Sequence, residues 1–74
     1  MKTLKELRQD AGLTQQELAN LVSMVSPVSR ETVAIWENKN VCPEYPIVNR
    51  LAVIFVKSIN EIYEIFYPKK EVAQ

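Results

Sequence analysis

Apolar residues along this chain recur every three or four positions in short blocks, and each block is preceded by a hydroxyl residue or a proline. That period is helical. Leu4, Leu7 and Ala11 make the first stripe. Thr3-Leu4-Lys5-Glu6 has the Thr-x-x-Glu spacing of a capping box, in which hydroxyl and carboxylate satisfy each other's backbone amides. Gly12 stands where a left-handed residue ends a helix. Helix 1 is expected over about residues 4–11. Thr14-Gln15-Gln16-Glu17 repeats the box, and Leu18, Ala19, Leu21 and Val22 supply the inner face of a helix from Gln15 to about Val22.

Ser23 to Val28 is a connection, either one more helical turn or a looser loop. Pro27 is barred from a helix interior and biases Ser26 to extended angles. Ser29 then caps helix 3, with Val33 and Trp36 facing inward. Asn38 to Tyr45 is expected to be a loop containing Pro43. Pro46 suits a first helical turn. Val48, Leu51, Ala52 and Phe55 mark the buried side of helix 4, with Ile47 and Ile54 at its margins. Ser58-Ile59-Asn60-Glu61 is a third capping box. Ile59, Ile62, Tyr63 and Phe66 form the stripe of helix 5, and Pro68 stops it. Residues 69–74 are expected to be a frayed polar tail. The expected fold is all-α, five short helices in a single domain over 1–74, with its helical core at about 4–67.

Composition agrees with that pattern. The chain has 74 residues and only 1 Gly, too few for a sheet with many tight turns. Hydrophobic residues make up 47%, enough for a compact core. With 1 Cys and no His, neither an internal disulfide nor a zinc cluster is available, and the commonest general base is absent. No nucleophile–base arrangement stands out, so no enzyme, metal or cofactor is expected. Cys42 reads as an incidental loop residue. No stretch approaches the roughly 18 apolar residues of a membrane span, and the N-terminus has no signal-peptide core. A cytoplasmic protein is the expectation.

Order and spacing then carry a resemblance. Leu4-Lys5-Glu6-Leu7-Arg8, Gly12-Leu13-Thr14-Gln15-Gln16-Glu17-Leu18-Ala19, Val28-Ser29-Arg30-x-Thr32-Val33-x-x-Trp36-Glu37-Asn38, Pro43, Leu51-Ala52 and Ser58-x-x-Glu61-Ile62 follow one another across residues 4–66. The chain resembles the Cro/CI-type (XRE) helix-turn-helix family of phage and bacterial regulators. The resemblance implies a lambda-repressor-like DNA-binding domain in which helices 2 and 3 form the helix-turn-helix and helix 3 enters the major groove. It also implies Gln15 near a phosphate, and Arg30, Glu31 and Ala34 on the groove-facing side of helix 3. Asn38 falls at a loop position near the backbone. Arg8 and Glu37 resemble a pair that ties helix 1 to the end of helix 3.

Four departures qualify the expected target. The helix 2–3 connection is about four residues longer than the usual three- or four-residue turn. Ile35 stands on the outer side of helix 3, where polar or basic residues are frequent. Lys39 and Val41 replace a common Gly and a polar residue. Finally, net charge is +0, and from Thr14 to Lys39 two cations, Arg30 and Lys39, face three carboxylates, Glu17, Glu31 and Glu37. DNA-binding domains usually carry a basic surplus.

Two functions therefore stand. One is a small repressor-type regulator from a phage or mobile element, reading operator DNA with helix 3. The other is a helix-turn-helix-shaped antirepressor, or an antitoxin-like module, that binds a protein partner. The candidate contact residues are the same for both: Gln15, Arg30, Glu31, Ala34, Ile35, Asn38 and Lys39. Arg30 can pair with a guanine edge, and Glu31 with a cytosine amine or with its own helix N-terminus. Arg8, Trp36 and Glu37 are expected to be architectural. Met24, Val25, Ile35 and Val41, if exposed together, would mark a protein interface. Ile65 or Tyr67 is a candidate contact for a homodimer.

Overall fold

The computed structural model describes residues 2–68. Five helices follow in order: α1 (Leu4–Asp10), α2 (Gln15–Val22), α3 (Arg30–Lys39), α4 (Tyr45–Phe55) and α5 (Ile59–Phe66). Among the described residues there is no strand. The polar tail expected at 69–74 lies outside the described residues.

Local chemistry explains where the helices begin. Thr3, Thr14 and Ser58 each accept from the amide three residues on, and Glu6, Glu17 and Glu61 reach back to the capping residue's own amide. Ser29 caps α3 through the Thr32 amide, and Thr32 places its hydroxyl 3.1 Å from that of Ser29. α4 has no side-chain cap and starts on Glu44 with Pro46 in its first turn.

Helix ends are equally specific. At α1 the amide of Leu13 donates to the Arg8 carbonyl and that of Gly12 to Gln9, with Gly12 at φ +72°. This is a Schellman ending with glycine in its left-handed position. α4 ends in the same way, Lys57 donating to Ala52 and Val56 to Val53. There the left-handed residue is Val56, at φ 54°. A β-branched residue is strained at that angle.

The core lies where all five helices converge: Leu4, Leu18, Ala19, Val22, Val33, Trp36, Val48, Leu51, Ala52, Ile62 and Phe66. Burying one such Leu, Ile or Val contributes about 1.5–3 kcal/mol, set against the entropy of ordering it. Leu13, Val28, Cys42, Ile47, Ile54, Phe55, Ile59, Tyr63 and Ile65 pack around this centre.

Three expectations need correction. The buried stripe of α1 is Leu4 with Arg8, while Leu7 is half-buried and Ala11 exposed. The guanidinium replaces the expected methyl because a buried carboxylate awaits it. Asn38 and Lys39 belong to α3 rather than to the loop, because it is Asn40 that takes the left-handed angle (φ 53°) and ends the helix. Asn40 Nδ2 also donates to the Phe66 carbonyl at 3.0 Å, which ties the end of α3 to the end of α5. Tyr45 likewise begins α4 rather than ending the loop, and Cys42, in the loop as expected, packs against the core.

Candidate nucleic-acid interface

α3 has two distinct sides. Val33 and Trp36 are buried, and Trp36 keeps only 4% of its surface. Glu37 continues that inner side. Its carboxylate accepts from Arg8 Nε at 2.6 Å, from Arg8 Nη2 at 3.1 Å and from Gln15 Nε2 at 3.2 Å. The Glu37 side chain is fully buried and that of Arg8 is 10% exposed. Arg8 Nη1 adds a bond to the Leu13 carbonyl at 2.9 Å. One carboxylate thus joins α1, the start of α2 and the end of α3. A buried pair satisfied this fully fixes orientation even where desolvation cancels its net energy.

The opposite side of α3 is open. Glu31, Ile35 and Asn38 stand at i, i+4 and i+7, all exposed, so they line one stripe of the helix. Ala34 is half-buried at its margin, Arg30 lies in the first turn and Lys39 in the last. Arg30 Nη2 is 3.6 Å from the Glu31 carboxylate, and both side chains are more than half exposed. Gln15 is half-buried at the first turn of α2, its amide turned toward Glu37. Of the seven candidate contact residues, six are therefore on or beside the free face of α3, whereas Gln15 has its amide turned to Glu37 on the inner side.

Glu37 also revises the local charge balance. Counting 14–39 alone leaves one excess negative charge, but Glu37 is neutralised by Arg8 from outside that window. The surface carboxylates of the segment are then Glu17 and Glu31, against Arg30 and Lys39. The surface of this segment is neutral rather than acidic. Two other described cations, Lys2 and Lys57, stand among carboxylates. Lys2 pairs with Asp10, which raises the pKa of its ammonium. Lys2 and Lys57 border a shallow depression with Leu7, Glu61, Glu64 and Ile65, in the company of carboxylates.

The long α2–α3 connection is an ordered turn. Val25 and Ser26 donate to the Val22 carbonyl at 2.9 and 3.3 Å. The Ser23 hydroxyl donates to Ala19 at 2.7 Å and accepts from the Val28 amide at 3.0 Å. Arg50 of α4 donates from Nε to the Leu21 carbonyl at 3.0 Å, and its Nη2 lies 3.1 Å from the Met24 sulfur. Ser23, Arg50 and Asn40 therefore position the helix-turn-helix, although spacing alone does not reveal them. The one clue in the sequence is that Arg50 is the only charged residue within the largely apolar Tyr45–Phe55 stretch.

The turn leaves Met24 75% and Val25 50% exposed. Ile35 is 43% and Val41 48% exposed. Cys42, by contrast, is half-buried, and burial pushes its thiol pKa up against a smaller opposing contact with Tyr67.

No helix among the described residues is long and apolar enough to cross a membrane. No curated protein and no solved structure matches the chain. A family model described as helix-turn-helix matches residues 4–62, from the first residue of α1 to Ile62 of α5. With the five-helix architecture and the match over most of its length, the chain belongs to the Cro/CI-type (XRE) helix-turn-helix family of DNA-binding regulators.

Proposed function

We propose that this protein is a transcriptional regulator that occupies an operator with α3 and acts sterically, without chemistry. The observation that carries this reading is the two-sided character of α3. One side is locked by Val33, Trp36 and Glu37, and the other presents Glu31, Ile35 and Asn38 on a rigid support. A recognition helix needs that combination, because base contacts specify only when the frame is held in register. Arg30, Glu31, Ala34 and Ile35 meet base edges in this reading. Asn38 and Lys39 approach the backbone. Gln15, held by Glu37 at the N-terminal end of α2, faces a phosphate where helix amides favour an anion. A palindromic operator occupied by two copies suits a single reading helix per chain.

The test is enrichment of duplexes from a random pool, followed by affinity against salt. Each neutralised phosphate contributes about −0.9 to the log–log slope. With few uncompensated cations near α3, we expect a specific site with a shallow slope of about −2 to −3 per protomer. No enrichment at low salt sinks this reading.

A protein-masking function is the second reading, favoured by the exposure of Met24, Val25, Ile35 and Val41. In that case the protein would bind the DNA-reading surface of a repressor, and failure to enrich any duplex would move the weight there.

A further inference from the structure

The middle of the free face of α3 carries no charge. Arg30 and Glu31 in the first turn stand 3.6 Å apart and offset each other. Glu37 is buried against Arg8, and Lys39 lies a full turn beyond Ile35. Between these ends are Ala34 and Ile35, whose side chains have no hydrogen-bonding atom. Ile35 keeps 43% of its surface exposed at the centre of the outer stripe.

A major groove offers donors, acceptors and one apolar group, the C5 methyl of thymine. A branched hydrocarbon pressed on a guanine or cytosine edge would strip water from polar atoms and return nothing. Pressed on a methyl, it removes apolar surface from water on both sides. We propose that Ile35, with Ala34 beside it, selects operator sites by packing on thymine methyl groups, in place of arginine–guanine pairing as the main source of specificity. The inference rests on the operator-reading function and names the chemistry that this face would recognise.

Deoxyuridine provides the test, since it keeps the pairing edge and the backbone of thymidine and lacks only the methyl. The site selected from a random duplex pool is remade with deoxyuridine replacing each thymine in turn. At one or two thymines per half-site the swap should weaken binding about three- to fivefold, as loss of one buried methyl implies. With Ile35→Ala the same swap should change affinity less than about twofold. Ile35→Val, which keeps a branched hydrocarbon there, should retain the sensitivity and guards against a folding defect in the alanine variant. Circular dichroism checks that both variants fold.

Wild-type protein indifferent to deoxyuridine at every thymine would overturn the inference while leaving operator reading intact. The same loss in wild type and Ile35→Ala would overturn it too. If no duplex is enriched at all, operator reading and this inference fall together.

Discussion

Val56 and Trp36 are the single side chains whose environments make the sharpest claims. Val56 sits at φ 54° and is 89% exposed, so it is strained while burying almost nothing. The left-handed region costs an L-residue roughly 1–2 kcal/mol, and glycine escapes that cost. Val56→Gly should therefore stabilise the domain by about 1 kcal/mol, seen as a rise of several degrees in the thermal midpoint. An unchanged or lower midpoint would show that the strain is relieved in solution. Trp36 is the opposite case. It is the largest side chain in the core, and Trp36→Ala should cost about 3–5 kcal/mol. That approaches the whole stability of a domain this small. Denaturant titration should find the variant largely unfolded. A folded variant that loses only binding would show that the indole has its role outside the core.

Between helices, polar contacts set the geometry that the apolar core leaves loose. The Arg8–Glu37–Gln15 cluster orients α3 against α1 and α2. Glu37→Gln leaves a buried guanidinium without its countercharge, and about 3–5 kcal/mol should be lost. Replacing both partners together, as Arg8→Met with Glu37→Leu, should restore most of that stability, because the desolvation of both charges is removed. Equilibrium unfolding of the single and double variants separates the two effects. Capping predicts a pH response. Hydrogen bonds from the backbone amide and hydroxyl of Ser58 hold the Glu61 pKa below its ordinary value of 4.5. A lowered carboxylate contributes stability that is present above its unfolded pKa and is lost as pH falls through the folded value. Glu61→Gln keeps a capping partner but does not titrate there. Its thermal midpoint should fall less than that of wild type on going from about pH 6 to pH 3. Parallel melts in the two buffers check this, and equal drops would count against the cap's role.

The molecule as a whole has no net charge, and the structure distributes that neutrality in a particular way. The Arg8–Glu37 pair is internal, Lys2 answers Asp10, and Arg30 answers Glu31. With no net charge, the protein as a whole exerts little long-range attraction on a polyanion, so binding comes from contact more than from steering. The shallow salt slope expected above is the signature of such a protein. The same distribution leaves the Ala34–Ile35 centre of α3 uncharged.

Much of this was legible along the chain because helix starts and apolar stripes are local properties. Thr3, Thr14, Ser29 and Ser58 announce their helices within four residues, and the period of Leu18, Ala19 and Val22 requires no partner to be read. The family resemblance has the same origin, since ordered blocks at set spacings reflect one repeated packing. What stayed hidden depends on groups distant in sequence. The Arg8–Glu37 pair is foreshadowed only by the family resemblance and not by periodicity or charge count, while the grip of Arg50 on the α2–α3 turn and the tie from Asn40 to Phe66 have no sign in the spacing; each contact spans 26 or 29 residues. A charge count within a window cannot see a countercharge from another helix. Periodicity cannot tell a buried guanidinium from a solvated one, because burial of a charge is decided by the partner that the fold brings to it.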